Sequence, residues 1–135
     1  MTRPTSTYVK RTVLVVDDDR VIRLLARDAL EREGYTVLEA SDGAEAIDVF
    51  ELHRPDLVLL DITMPEVDGF SVCAEIRHRH PGDHTPIVMM TAKDDHESID
   101  RAYEAGATDF VNKPVNAALL GHRVRYLLRV REQPE

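Results

Sequence analysis

Tryptophan is absent from the 135 residues, phenylalanine and tyrosine number only 3 and 4, and there is one cysteine, Cys73. So few aromatics argue against an aromatic-rich β-sandwich, and a lone thiol rules out an internal disulfide, leaving a buried apolar core to stabilise the fold. No apolar run approaches the roughly 18 residues of a membrane span, so no membrane association is expected. Positive charge is also short: 17 Lys+Arg face 25 Asp+Glu, a formal charge of −8. That field opposes the wrapping of nucleic-acid phosphates, so DNA or RNA is not expected as a direct ligand. Residues 1–11 lack the apolar stretch of a secretory signal, which makes the cytoplasm the expected compartment. What the chain does have is 135 residues, 43% of them hydrophobic, long enough for one buried core and too short for two ordinary domains. One domain is expected over 12–131, between short polar tails at 1–11 and 132–135.

From Thr12 onward, short apolar runs alternate with longer amphipathic stretches. Val13 to Val16 is mostly β-branched and unbroken by polar residues, as in a strand buried on both faces. Ile22, Leu25, Ala26 and Ala29 then recur at helical spacing, and Gly34 supplies the stop. The unit repeats: Tyr35–Ala40 reads as a strand, Asp42 with Glu45 resembles a capping box, and the helix so opened ends before Pro55. Leu57 to Leu60 is the most central strand, followed by a helix opened by Asp68-Gly69 and carrying Val72, Cys73 and Ile76. Ile87 to Met90 is a fourth strand, Ile99 to Ala105 belongs to a fourth helix stopped by Gly106, and Thr108 to Val111 is a fifth strand. Asn116 to about Arg131 forms the last helix, with Leu119, Leu120, Val124, Leu127 and Leu128 as its apolar set. Five strands alternating with five helices predict an α/β, doubly wound parallel sheet in the order 2-1-3-4-5, because right-handed crossovers leave few other arrangements. Ligands of such sheets bind beyond the carboxyl ends of the strands, at the point where the winding reverses.

At those ends stand Asp17-Asp18-Asp19, Asp61, Thr91 and Lys113. Each alone has an ordinary structural explanation, as a helix cap, a strand terminus or a solvated cation. Together they predict a pocket. Carboxylates from Asp17, Asp18 and Asp61 repel by about 4 kcal/mol per pair at 4 Å and an effective dielectric near 20. Three pairs approach about 12 kcal/mol, as much as a domain's whole stability, so the pocket must take up protons or a cation. Carboxylate and water ligands with a position left for a phosphate oxygen describe Mg²⁺ rather than Zn²⁺, since no Cys/His ligand set is present. Lys113 and the Thr91 hydroxyl complete an inventory suited to a phosphoryl group.

The segments VLVVDDD, LVLLDITMPEVDGF, PIVMMTA and GATDFVNKP resemble the receiver domain of two-component response regulators over about Thr12 to Arg131. The resemblance implies a flavodoxin-like receiver fold. It further implies that Asp61 is the phosphoacceptor, that Asp17 and Asp18 hold Mg²⁺ with the Thr63 backbone carbonyl, that Thr91 is the switch hydroxyl, that Phe110 is the switch aromatic, and that Lys113 pairs with the phosphate. Lys113-Pro114 resembles the family's cis peptide, and Met64-Pro65 with Gly69 its post-acceptor loop. The implied donor is a histidine kinase, a phosphotransfer protein or acetyl phosphate. The implied readers are a downstream partner protein or an attached output domain, with a possible homodimer through the fourth helix, fifth strand and fifth helix. The ending ALLGHRVRYLLRVREQPE resembles the helix that joins receivers to diguanylate cyclases or other signalling modules. The chain is thus expected to be a switch that assists its own phosphorylation and dephosphorylation rather than an enzyme acting on another substrate.

Competing patterns are present. Asp17-Asp18-Asp19-Arg20-Val21 fits the D-x-D-x-V nucleophile of haloacid-dehalogenase-type phosphatases, but Pro114-Val115-Asn116-Ala117-Ala118 lacks their later acidic pair and Asp61 would go unexplained. His78, His80 and His84 are read as a solvated helix end rather than a metal cluster, and Cys73 as a small buried hydrophobe. Asp94, Asp95, Glu97, Asp100 and Glu104 make the fourth helix acidic, while Arg123, Arg125, Arg129 and Arg131 make the fifth basic, a pairing of signs that would permit a symmetric dimer. Asp19 reads as a helix cap.

Overall fold

The computed structural model describes residues 10–92 and 96–132; Asp94, Asp95 and most of both expected tails lie outside the described residues. Strands β1 (Thr12–Val16), β2 (Thr36–Ala40), β3 (Leu57–Asp61), β4 (Ile87–Thr91) and β5 (Asp109–Asn112) alternate with helices α1 (Arg20–Arg32), α2 (Gly43–His53), α3 (Gly69–Arg79), α4 (His96–Glu104) and α5 (Ala117–Glu132). All strand pairs are parallel and the order is β2-β1-β3-β4-β5, as the alternating pattern predicts. The register sets Val16 beside both Ala40 and Leu60, Asp61 beside Met90, and Thr91 beside Asn112.

Period-two alternation divides the central strands between two cores. Leu14, Val16, Val58, Leu60, Ile87 and Met89 face α2, α3 and α4, against Ala46, Phe50, Val72, Cys73, Ile76 and Ala102. Val13, Val15, Leu57, Leu59, Val88 and Met90 face α1 and α5, against Ala26, Leu30, Leu120, Val124 and Leu128. Burial on both faces is why these runs contain no polar residue until the strand ends.

The helix starts follow from side-chain capping. Asp19, Asp42 and Asp68 accept hydrogen bonds from Val21, Glu45 and Ser71, satisfying otherwise orphaned first-turn N–H groups. The return bond expected of the capping box runs instead from Ser41, whose N–H donates to Glu45 Oε1 at 2.6 Å. Leu25 and Leu119, placed in the apolar sets by spacing, are 59% and 66% exposed. Each is about 100° around its helix from a buried neighbour, Ala26 or Leu120, and so falls outside the narrow stripe that meets the sheet. β5 begins one residue later than expected because the Thr108 hydroxyl accepts from the Ile87 N–H at 3.0 Å and closes the loop before the ladder starts.

Candidate metal centre

Asp17 lies one residue beyond β1, Asp61 closes β3, Thr91 closes β4 and Lys113 follows β5. Parallel pairing brings these strand ends to one edge of the sheet. Asp17, Asp18 and Asp61 each present a carboxylate oxygen within 4.8 Å of the others, the one such group of three potential metal ligands among the described residues. Asp17 and Asp61 are buried, at 0% and 2% exposure, whereas Asp18 stands at the solvent-facing rim.

Lys113 Nζ sits between the two buried acids, 2.9 Å from Asp17 Oδ2 and 3.0 Å from Asp61 Oδ1. The sequence predicts that Lys113 balances the added negative charge of a phosphoryl group; in the structure it already pairs with both buried acids. Asp61 Oδ1 also accepts from the Thr63 N–H at 3.3 Å, and Asp17 Oδ1 from the Asp19 N–H at 2.9 Å. Burial pushes the Asp61 carboxyl up to about 6; the Lys113 hydrogen bond pulls against that, and the neighbouring Asp17 charge adds to it. Burial disfavours the Lys113 ammonium, but its contacts with Asp17 and Asp61 outweigh this and hold its pKa above the ordinary lysine value. Threefold repulsion of about 12 kcal/mol is therefore not stored: an ammonium, an acid with raised proton affinity and a solvated third carboxylate share the relief.

The residues fit a hard divalent cation. Their donors are all oxygen, as Mg²⁺ prefers. Asp17 Oδ2, although within ion-pair reach of Lys113, is the one buried side-chain polar atom among the described residues that accepts no hydrogen bond. With Lys113 as its sole neighbour of opposite charge among the described residues and no aligned donor, this buried oxygen keeps lone pairs open to a cation.

Thr91 is buried at the end of β4, and its carbonyl accepts from the Lys113 N–H at 2.8 Å. The Lys113-Pro114 peptide is cis. Phe110 is half-buried, packs against the α2–α4 core and meets Tyr103 of α4 edge-on at 6.4 Å. Gly69 is required by close approach: a Cβ there would lie 2.3 Å from the Asp61 carbonyl oxygen, and the Gly69 N–H donates to the Ile62 carbonyl at 2.8 Å. The loop after Asp61 therefore folds back directly onto the strand that carries it.

The competing patterns are placed elsewhere. Asp19 is exposed and its carboxylate caps α1, so the D-x-D pair does not converge. His80 is not simply solvated: it bonds Glu51 at 2.8 Å and packs against Phe50, while His78 and His84 are exposed. Cys73 is fully buried, and burial pushes its thiol up to about 11. Much of the basic character of α5 is spent within the molecule, where Arg123 pairs with Asp109, Arg125 with Glu33 and Arg131 with Asp56. Sequence reasoning does not find Tyr103, nor the pair Arg23 and Glu39, which meet at 3.0 Å beside Asp17. The available signal was Glu39, a charge inside an otherwise apolar strand.

Comparisons with known proteins agree with this geometry. Over 117 residues the chain is 44% identical to "Response regulator MprA" of Mycobacterium sp. (strain KMS), covering 87% of this chain and 50% of that protein. It spans about half the length of the curated relatives it matches. Among solved structures, the chemotaxis protein CheY4 of Vibrio cholerae superposes with a TM-score of 0.82 at 33% identity, covering 90% of this chain and 99% of that one. A two-component system response regulator/ggdef domain protein superposes with a TM-score of 0.85 at 35% identity, covering 92% of this chain and 51% of that one. The response regulator receiver domain matches residues 13–125. With its doubly wound sheet and its acids gathered at the carboxyl edge, the chain belongs to the receiver domains of two-component response regulators, a family of phosphorylation-controlled signalling switches.

Proposed function

We propose that Asp61 accepts a phosphoryl group from a histidine kinase, a phosphotransfer protein or acetyl phosphate, and that residues 12–131 act as the switch unit. The observation that carries this reading is the convergence of Asp17, Asp18 and Asp61 around the Lys113 ammonium at the carboxyl edge of the sheet. An Asp61 carboxylate oxygen attacks phosphorus in line; the bond from phosphorus to the donor breaks, and its electron pair leaves with the donor. The product is an acyl phosphate on Asp61. Asp17, Asp18, Asp61 and the Thr63 carbonyl would hold Mg²⁺, which when bound supplies positive charge to the phosphoryl oxygens. Lys113 transfers its hydrogen bond from Asp61 to the phosphoryl group, and Thr91 donates its hydroxyl to the same group. Water in the same pocket then hydrolyses the acyl phosphate and resets the switch.

Phosphorylation biases a two-state equilibrium through Thr91 and Phe110 and reshapes the α4–β5–α5 face. Tyr103, packed edge-on against Phe110, lies on the route from the pocket to that face. The face acts on an attached output domain, a partner protein or a second copy of the chain, in the cytoplasm. Two observations favour an attached domain: the relatives extend to about twice the matched length, and one structural neighbour carries a ggdef domain. Among the described residues no helix is long and apolar enough to cross a membrane. The test is intact-mass spectrometry after incubation with Mg²⁺ and acetyl phosphate. One added phosphoryl group, lost in Asp61→Asn, is expected; unchanged wild-type mass, or addition that persists in Asp61→Asn, refutes the assignment.

A further inference from the structure

β1 passes into α1 through Asp17-Asp18-Asp19, and the first two carboxylates of that turn face the proposed metal position. Asp17 is anchored on three sides. Its N–H donates to the Ala40 carbonyl at 3.1 Å, its Oδ1 accepts from the Asp19 N–H at 2.9 Å, and its carbonyl accepts from Arg23 Nη1 at 2.7 Å. The first two anchors are local or part of the sheet edge; the third comes from a side chain on α1.

Arg23 is itself fixed. Its side chain is 16% exposed, and its Nε donates to Glu39 Oε1 at 3.0 Å. Glu39 Oε2 accepts from Arg27 Nη1 at 2.5 Å, and Arg27 Nε donates to Glu31 Oε2 at 3.1 Å. Glu39 lies on β2, opposite Val15 in the register. One guanidinium fork thus ties β2, α1 and the β1–α1 turn together through two different nitrogens, Nε and Nη1, a planar spread that the single nitrogen of a lysine does not reproduce. The peptide plane is rigid, so the direction of the Asp17 carbonyl also sets the Asp18 nitrogen and Cα. Rotating that plane would break the Arg23 bond and swing the Asp18 carboxylate away from Asp17 and Asp61.

We infer that Arg23, held by Glu39, is a positioning residue for the metal-binding aspartates: it fixes the Asp17–Asp18 peptide so that the Asp18 carboxylate stands where Mg²⁺ needs it. The inference rests on the reading that Asp17, Asp18 and Asp61 bind Mg²⁺, and it concerns a residue that touches neither metal nor phosphoryl group. Its sign distinguishes it from a field effect. A guanidinium near a dication site repels the dication, so Coulomb interaction alone predicts tighter Mg²⁺ binding once the charge is removed. Loss of orientation predicts weaker binding, because Mg²⁺ demands near-ideal octahedral geometry and partners that orient metal ligands are typically worth about 10–100-fold in affinity.

The experiment is calorimetric titration of the full chain with Mg²⁺ alone, beside urea unfolding of the same variants in EDTA. Arg23→Ala is expected to bind Mg²⁺ about tenfold or more weakly than wild type. Arg23→Lys keeps the charge and most of the packing but loses the rigid two-nitrogen fork that orients the Asp17 carbonyl while held by Glu39; it is expected to stay several-fold weak, and it answers the question if the alanine variant does not fold. Arg54→Ala breaks an ion pair with Asp83 away from the site, and is expected to lower stability while leaving Mg²⁺ affinity unchanged. Wild-type affinity in Arg23→Lys, or unchanged or tighter binding in a folded Arg23→Ala, overturns the positioning role. A wild-type protein that takes up no Mg²⁺ overturns the metal reading itself, and the inference with it.

Discussion

Replacing Asp61 by asparagine tests how much stability the protein gives up to keep an acid in its pocket. The Asp61 carboxyl is shifted from 3.8 to about 6, first by burial and then by the Asp17 charge, against the pull of Lys113. Between about pH 4 and pH 6 the folded protein therefore holds a proton that the unfolded chain has released. Folding stability falls as pH rises through that window, and above it the full cost remains. A shift of about 2 units corresponds to about 3 kcal/mol. Asparagine keeps an oxygen that accepts the Lys113 and Thr63 hydrogen bonds but carries no charge. In EDTA at pH 7.5, Asp61→Asn should be more stable than wild type by up to about 3 kcal/mol, or roughly 10 °C in melting temperature for a chain of this size. The gain should shrink through the window and vanish below about pH 4. The assay is paired urea and thermal unfolding of both proteins at several pH values, so that only the difference is read. Millimolar Mg²⁺ should raise the wild-type melting temperature more than that of the variant, because the metal binds the folded pocket alone. A gain of equal size at pH 4 and pH 7.5, or a less stable variant at pH 7.5, would refute the argument that the buried charge is the source.

Lys113→Met removes the cation shared by Asp17 and Asp61 and should cost about 2 kcal/mol at pH 7.5 in urea unfolding; the loss should lessen near pH 5, where Asp61 takes up a proton. Gly69→Ala drives a Cβ into the Asp61 carbonyl and should cost about 2 kcal/mol or more while reducing phosphoryl uptake by intact mass, because the acceptor strand itself must shift. Burial acts to raise the Asp83 carboxyl, but hydrogen bonds from Thr85 and Arg54 bring it down to about 2. Its contribution is therefore present above about pH 4 and lost as pH falls toward 2. Asp83→Ala should cost about 1–2 kcal/mol at pH 7, with the difference from wild type closing in acid.

Strand and helix order, sheet topology and the identity of the edge residues were legible in the chain because each rests on local periodicity or on winding rules. Val13–Val16 and Leu57–Leu60 lack polar residues since both sheet faces are covered, and this alone makes them central strands. Asp19, Asp42 and Asp68 were readable as caps for the same reason: the bond each makes reaches two or three residues along the chain. Periodicity did not show how wide a stripe each helix buries, so Leu25 and Leu119 were counted inward. Helical spacing gives a direction for each side chain but not the area of the surface it meets.

Residue types and strand ends were enough to predict that three acids and a lysine would share a pocket. Tertiary structure alone decided how they share it. The sheet register brings Lys113 between Asp17 and Asp61, leaves Asp18 in solvent, and makes the Asp61 proton affinity the balance of burial against one ammonium. Likewise the Arg23–Glu39 brace exists only because β2 lies beside β1, setting a residue of one strand against the first turn of the helix that follows the other. Distances between groups far apart in sequence, and the dielectric around them, are properties of the packed molecule, and they set the electrostatics of the site.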